Sequence, residues 1–447
     1  MAYTDFIAAI DLGSSHMVGM VGTKGPAGTL SIIAYEVENS DTCIRRGCVY
    51  NVKETASKIK RLILKLENKL GGTKIGQVYV GLGGQSLRSI EHTVCKVLGT
   101  EGVVTEEIID SLYQECKDYR PDMLTVLDVV SPSYFLDDKP ESNPVGVPCS
   151  RIEARYKLIV GRPSLKLNIV NSISEQAKIE IAGILVSPLA LGDVVLSDNE
   201  KDLGCALIGF GAGVTTISVY KGGKLASLSV VPFGGNLITK DITNLRVVES
   251  EAERLKITYG SAKADRDNDM TIQVSLADGM GLREIKLAEL NGVIEILENV
   301  YARLEATGLM SVLGAGIVIT GGGAALKNLP AVMSERLKME VRYSAVRKGV
   351  VASGDLVVAS NPEYAVAVGL LAKGTKNCAL YIPPKPEPKP EPKVELEPTV
   401  EPIVEPEPIK EKPKKEKKEK KGFGWKPKTW IDTFGKTLFD DDDNESK

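Results

Sequence analysis

Apolar residues along the chain alternate between short runs typical of buried strands and longer spans with helical spacing. The apolar runs 6–13 and 16–22 flank a tight turn, which predicts a strand–turn–strand unit. Segment 52–72 carries leucines on one helical face and basic residues on the other, and it closes with a Gly-Gly pair, which predicts an amphipathic helix. Strands that alternate with helices in this way predict an α/β fold.

The same patterns extend to about residue 381, and no period of 20–50 residues recurs, which argues against a solenoid. They predict strands over 77–84 and 155–162, helices over 104–119, 173–184, 250–260 and 288–309, a second strand–turn–strand unit over 204–235, and a strand, glycine turn and helix start over 316–330.

The composition changes abruptly at residue 382. Residues 383–421 contain 11 Pro, 11 Lys and 10 Glu and no aromatic residue. Such a segment cannot bury enough apolar area to offset the entropy lost on ordering, so we predict a disordered, extended linker over 382–421.

Apolar residues return after this linker, in segment 422–447. On a helix that begins near Pro427, they form one stripe, made of Trp430, Ile431, Phe434 and Leu438. An apolar stripe that follows a Lys-rich approach is typical of a helix lying in a membrane interface. The alternative is a helix that docks on a partner or on the body of the chain. The acidic run 440–443 favours this alternative, because anionic lipid would repel its negative charge.

Charge and composition exclude several classes of protein. The 447 residues include 56 Lys and Arg against 59 Asp and Glu, a balance that does not suggest a nucleic-acid binder. The seven cysteines form no C-x-x-C pair, which fits a reducing, cytosolic setting better than a disulfide framework. With only His16 and His92, a histidine-built zinc site is disfavoured, and no signal peptide or spanning helix is recognisable.

Three glycine-rich turns are candidates for binding phosphate. The turn 11–15 and the turn 209–213 each join two apolar strands, and Gly321–Gly323 follows a third strand. Glycines let backbone amides approach an anion closely, and Asp11 at the end of a strand suits Mg²⁺. His16 also lies where it could touch a phosphate, although a lone histidine often only completes a turn. Each turn alone also fits a plain hairpin, and neither a G-x-G-x-x-G fingerprint nor a Walker A motif is present.

The order of these motifs resembles the actin-like ATPase superfamily and, within it, the FtsA family of bacterial cell-division proteins. The resemblance covers residues 5–375 and is carried by segments 8–22, 143–161, 204–223, 230–242, 250–260, 316–330 and 364–374. A short helix after a variable linker is also a feature of that family.

The resemblance implies a two-lobed actin-like fold with a nucleotide cleft that binds ATP and Mg²⁺. It implies a lobe I core over 1–81, 163–198 and 351–381, an FtsA-type inserted subdomain over 82–162, a lobe II core over 199–224 and 301–350, and an upper part of lobe II over 225–300. The implied site comprises Asp11, Gly13, Ser14 and Ser15 in the first phosphate loop, Gly211, Ala212 and Gly213 in the second, Glu253 and Lys256 near ribose and adenine, and Gly321, Gly322 and Gly323 at the adenosine, with Asp11 serving the metal.

The resemblance also implies partners and a location. FtsA proteins polymerise, bind the C-terminal peptide of the tubulin-like FtsZ through the upper part of lobe II, and contact later division proteins. They tether FtsZ by the terminal helix to the cytoplasmic face of the membrane at the division site, as peripheral membrane proteins.

The chain departs from the family pattern at the second phosphate loop. Gly209 and Val214 stand where Asp and Thr are usual, which predicts nucleotide binding with weak or absent hydrolysis. Two other functions remain open on the same fold: a pilus-assembly adaptor and a sugar-kinase-like phosphotransferase. A kinase needs a general-base carboxylate beside the acceptor hydroxyl, and no convincing candidate follows the second loop.

Overall fold

The fold is described from a computed structural model. It describes residues 5–26, 28–99, 102–263, 271–275, 282–286, 294–354, 358 and 360–380, which all belong to one unit, Met1–Pro383. The linker predicted over 382–421 and the tail helix predicted over 422–447 lie outside the described residues.

Strands and helices alternate along most of this unit. The strands are β1 Ile7–Leu12, β2 His16–Lys24, β3 Leu30–Asn39, β4 Ile44–Arg45, β5 Cys48–Val49, β6 Gln77–Leu82, β7 Arg88–Val97, β8 Thr125–Leu136, β9 Lys139–Glu141, β10 Arg151–Gly161, β11 Glu180–Val186, β12 Cys205–Phe210, β13 Thr215–Lys221, β14 Lys224–Val231, β15 Thr271–Ser275, β16 Leu282–Lys286, β17 Ile317–Thr320, β18 Val341–Tyr343 and β19 Val351–Ser353. The α-helices are α1 Val52–Lys69, α2 Glu106–Asp118, α3 Ser164–Val170, α4 Ser187–Val195, α5 Asp198–Leu203, α6 Gly235–Thr243, α7 Glu249–Tyr259, α8 Ile294–Ala306, α9 Leu329–Leu337 and α10 Ala365–Lys373.

The first sheet has the order β11–β6–β1–β2–β3–β19. Strands β1, β2 and β3 form an antiparallel meander, and α1 then carries the chain across to β6, which is parallel to β1. Asn51 caps helix α1, and its side chain accepts a hydrogen bond from the Glu54 amide. The apolar face that the sequence predicts for this helix is buried. This sheet and its helices form lobe I.

The second sheet repeats the arrangement of the first. Its order, β14–β13–β12–β17–β18, again comprises an antiparallel meander followed by two parallel strands, β17 and β18. The same five-strand order occurs in lobe I as β3–β2–β1–β6–β11, so the body consists of two lobes of equal topology. Strand β14 pairs with β13 along its length, so the border predicted at residue 225 falls inside the core sheet of lobe II.

A separate four-stranded sheet, β7–β10–β8–β9, lies in the chain between β6 and α3. It has its own apolar core, in which Tyr156, Ile152 and Leu158 are buried beneath α2. Thr105 caps helix α2, and its side chain accepts a hydrogen bond from the Ile108 amide. We call this unit the inserted subdomain.

The helix predicted over 173–184 is wrong in its second half. A π-helix, Asn171–Ala177, ends at Lys178, whose φ of 62° lies in the left-handed region, and the chain then enters β11. β11 pairs in parallel with β6. The spacing of the apolar residues in this segment resembles that of a helix, but pairing in the sheet makes the segment a strand.

Each of the seven cysteines is a free thiol. None of the helices within the described ranges is both long enough and apolar enough to cross a bilayer.

Candidate functional site

A cavity of about 710 Å³ is lined by residues of both lobes. It brings together every residue that the sequence predicts for the nucleotide site: Asp11, Gly13, Ser14, Ser15, His16, Gly211, Ala212, Gly213, Glu253, Lys256, Gly321, Gly322 and Gly323. These residues come from three turns and one helix that are far apart in the chain, so the fold concentrates them in one place.

The first glycine turn, between β1 and β2, is held by the end of β3. The Ser40 hydroxyl donates to the Gly13 carbonyl at 2.6 Å, and the Ser40 amide donates to the Ser15 carbonyl at 2.9 Å. Ser40 is fully buried, so both hydrogen bonds are shielded from water. The turn is therefore fixed by lobe I before any ligand arrives.

The first and second glycine turns touch each other across the cavity. The Ser14 Oγ accepts a hydrogen bond from the Gly47 amide at 2.8 Å. A Cβ at Gly213 would lie 2.5 Å from that oxygen and 3.2 Å from the Arg46 Cα. Such a separation is far inside van der Waals contact, so only glycine at position 213 permits this approach of the two lobes.

The second turn is fixed by the start of α6. The Gly235 amide donates to the Gly211 carbonyl at 2.9 Å, and the Asn236 amide donates to the Ala212 carbonyl at 2.8 Å. No backbone acceptor within the described ranges pairs with the amides of Ala212 or Gly213. Unpaired amides in a turn that lines a cavity are the donors that a phosphate group requires.

Asp11 is the carboxylate best placed for a metal ion. Burial raises its pKa to about 6, although a hydrogen bond from the Leu12 amide opposes the shift, so the group is largely ionised at neutral pH. Among the described residues, no group of three or more His, Cys, Asp or Glu side chains is arranged to hold a metal ion. One carboxylate without such a cluster fits Mg²⁺ that is otherwise bound by phosphate oxygens and water.

His16 lines the same cavity beside Ser15. Its Nδ1 lies 2.9 Å from the Ser15 Oγ. Burial lowers the pKa of His16, and the negative charge of Glu363 opposes that shift in part. The ring is therefore mainly neutral at physiological pH and offers hydrogen bonding rather than charge to a ligand.

The opposite end of the cavity is formed by α6, α7 and the third glycine turn. Lys256 donates to the Glu253 Oε2 at 2.6 Å and to the Thr239 hydroxyl at 2.9 Å. The third turn packs on the second: a Cβ at Gly321 would lie 2.5 Å from the Phe210 carbonyl oxygen. A polar pair and a flat backbone surface therefore face each other here.

The unusual Gly209 has a structural explanation. It pairs with Thr216 on β13, and a Cβ at position 209 would lie 2.7 Å from the Thr216 Oγ1 and 3.2 Å from Leu191. The threonine thus occupies the space next to position 209 that a larger side chain would need. The second turn retains its backbone donors and has no carboxylate at Gly209.

Several cavity residues were not singled out from the sequence. Thr239 lies within segment 230–242, whose resemblance to the family was noted without assigning it a role at the site. Glu363 precedes α10 and approaches Gly322 on the other lobe. Isolated polar residues of this kind carry no local pattern, so only the tertiary fold reveals them. The others are Asn39, Asp41, Ser187, Asn236, Glu249 and Ser250.

Comparisons with known proteins agree with this architecture. A family model described as cell division protein FtsA matches residues 206–369. The chain is 38% identical over 382 residues to the cell division protein FtsA of Porphyromonas gingivalis, covering 84% of this chain and 79% of the relative. The chain belongs to the FtsA family. It is also 30% identical to the FtsA of Neisseria meningitidis over 383 residues, covering 83% of this chain and 90% of that protein.

A solved structure confirms the predicted actin-like fold class. The chain resembles a structure described as the PilM–PilN type IV pilus biogenesis complex, with a TM-score of 0.58 at 17% identity, covering 82% of this chain and 97% of that one. At this identity the likeness concerns the fold alone. Family membership assigns the chain to cell division, and no finding favours the pilus-assembly or sugar-kinase alternative.

Proposed function

We propose that this division protein is an ATP-binding, filament-forming adaptor that tethers FtsZ to the cytoplasmic face of the membrane. The observation that carries the proposal is the single cavity lined by all three glycine turns together with Glu253 and Lys256. Two of these turns touch across the cleft, so a ligand held by both would join the lobes.

The phosphates of ATP would lie against the first and second turns. The free amides of Ala212 and Gly213 and the fixed turn around Gly13 supply donors that need no side-chain charge. Mg²⁺ bound at Asp11 would neutralise part of the phosphate charge. Glu253 accepts hydrogen bonds, which suits the hydroxyls of a ribose.

Hydrolysis is expected to be slow. A Mg²⁺ ion or an attacking water is usually held by a carboxylate beside the γ-phosphate, and Gly209 supplies none. We infer that bound ATP acts mainly to stabilise the closed arrangement of the lobes, in the way that any ligand specific for one state does.

Membrane attachment would come from the C-terminal segment 422–447. One interfacial helix binds lipid weakly and reversibly, whereas many helices displayed by a filament bind together at high effective concentration. The upper part of lobe II, over 225–300, is proposed to hold the FtsZ C-terminal peptide. The Pro-rich segment 382–421 would then space the filament from the lipid.

Vesicle flotation tests the adaptor role. We expect the full chain with ATP to float with vesicles of phosphatidylethanolamine and phosphatidylglycerol and to carry FtsZ with it. A chain that ends at residue 421, and the Trp430→Glu variant, should remain in the dense fraction with FtsZ, whereas Trp430→Phe should float. Equal flotation of the full and shortened chains, or FtsZ that stays behind when the full chain floats, would refute the proposal.

A further inference from the structure

Thr239 on α6 lies between two residues proposed to contact the nucleoside. Its hydroxyl accepts a hydrogen bond from the Lys256 Nζ at 2.9 Å, and two acceptors lie within reach of its single O–H donor: the Glu253 Oε2 at 2.6 Å and the Gly235 carbonyl at 3.1 Å. The Thr239 side chain is buried, with a relative exposure of 4%. The carboxylate is the nearer and the charged acceptor, so the hydroxyl donates to it and links Glu253 to Lys256.

Lys256 is occupied by these internal contacts. An ammonium group has three N–H donors, and Lys256 directs them to the Glu253 Oε2, the Thr239 hydroxyl and the Gly235 carbonyl at 3.2 Å. Only 13% of its side chain is exposed. Its three internal contacts therefore give Lys256 a role in holding Glu253.

Glu253 differs from Lys256 in its exposure. Its side chain is 44% exposed, and its two hydrogen bonds to described residues both end on Oε2. The other carboxylate oxygen, Oε1, is therefore available as an acceptor on the cavity wall. Because the carboxylate is fixed through Oε2, the position of Oε1 depends on Thr239 and Lys256.

We infer that Thr239 is a positioning residue for nucleoside recognition: it aligns the Glu253 carboxylate toward the sugar hydroxyls of the ligand. The inference rests on the proposed function and extends it, because it names a residue that acts on the ligand through Glu253. The same network reaches the second glycine turn, since Gly235 bonds Lys256 through its carbonyl and Gly211 through its amide.

Equilibrium titration of the full chain with ATP and Mg²⁺ tests this role. In Thr239→Val the shape of the side chain is kept and the hydroxyl is lost, so ATP affinity should fall about tenfold, the effect of losing hydrogen bonds to charged groups. Thr239→Ser retains the hydroxyl and should bind within about twofold of the wild type. Thr258→Val is the matched control, because Thr258 is an exposed threonine of α7 whose hydroxyl, within the described part of the chain, bonds only the Arg254 carbonyl.

A parallel titration with inorganic tripolyphosphate separates positioning from a general structural defect. This probe occupies the phosphate end alone, so its affinity should be the same for the wild type and Thr239→Val. Equal ATP affinity in the wild type and Thr239→Val would overturn the inference, as would an equal loss for both ligands. Absence of ATP binding by the wild type would instead contradict the proposed function itself.

Discussion

Gly213 determines how closely the two lobes can approach at the cleft. Ser14 and Arg46 of lobe I lie next to it, and Ser14 is itself held by the Gly47 amide. Any side chain at position 213 would have to displace the Ser14 side chain, which the Gly47 amide holds in place, and would press on the Arg46 backbone. The contact therefore depends on one residue without a side chain, and not on an attractive pair of groups.

We predict that Gly213→Val weakens ATP binding about tenfold or more, because overpacking of this kind costs about 1–3 kcal/mol and separates the two phosphate-binding turns. Titration with a fluorescent ATP analogue measures the change. Gly25→Ala is the control, since Gly25 lies in the turn between β2 and β3 away from the cavity, and an added Cβ there would meet only Thr29, at 3.1 Å. Unchanged affinity in Gly213→Val would show that the two turns do not act together.

At the scale of single residues, the sequence predicted those members of the site that belong to local patterns. Glycine turns after apolar strands are recognisable because both the turn and the strand leave a signature. Thr239 and Glu363 leave none, since each is one polar residue on or beside an ordinary helix. Their proximity to the cavity results from long-range packing, which periodicity does not encode.

At the scale of elements, Asp193 joins the helices that connect the lobes. It lies on α4 and pairs with Lys201 of α5 at 2.8 Å and with Lys373 of α10 at 2.7 Å. Helices α4 and α10 are themselves in close contact, since a Cβ at Gly369 would lie 2.3 Å from the Ala190 carbonyl oxygen. The chain enters lobe II after α4, and α10 follows β19, the strand with which the chain returns to the lobe I sheet, so this carboxylate stabilises the packing of α4, α5 and α10.

The Asp193 pairing predicts a pH-dependent stability. Burial alone would raise the pKa of Asp193, but hydrogen bonds from Lys201 and Lys373 outweigh it and hold the pKa below the ordinary value of 3.8. The stabilisation is therefore present at neutral pH and is lost as the pH falls below that value. Asp193→Asn should reduce the free energy of unfolding by about 1 kcal/mol at pH 7, a modest figure because the pair is partly exposed.

Urea unfolding of both proteins at several pH values checks this expectation. The difference in unfolding free energy should stay constant from pH 7 to mildly acidic solution and should shrink toward zero in strong acid. A difference that persists unchanged below the ordinary pKa of aspartate, or none at pH 7, would contradict the assigned role of Asp193.

Element boundaries were predictable where one pattern dominates. Helix α1 and strands β1 and β2 follow from amphipathic spacing and apolar runs. The helix predicted over 173–184 is wrong in its second half because the apolar positions there fit a helix as well as a strand. The pairing of β11 with β6 makes this part a strand. Helix propensity contributes less free energy than the hydrogen bonds and packing that a strand gains in a buried parallel sheet.

At the scale of the whole molecule, the inserted subdomain connects the lobes a second time. It belongs in the chain to lobe I, yet the Leu228 amide on β14 of lobe II donates to the Ser89 hydroxyl on β7 at 2.8 Å. Lys224 of lobe II also donates to the Pro132 carbonyl on β8. The lobes are therefore joined by the connecting helices, the inserted subdomain and the contact of the two glycine turns.

Family resemblance in the sequence predicted this two-lobed architecture, but it did not predict the contacts that hold the lobes together. The duplicated strand order could be anticipated because both halves contain a strand–turn–strand unit with a glycine turn. The contact between Ser89 and β14 could not, because two edge strands far apart in the chain carry no shared sequence signal.

Equilibrium dialysis of the full chain against radiolabelled ATP and Mg²⁺ tests the central claim most directly. Because the three glycine turns line one cavity, bound ATP should saturate at one molecule per chain, and unlabelled ATP should displace it. If no ATP is retained at concentrations up to about 1 mM, the cavity is not a nucleotide site and the account is wrong.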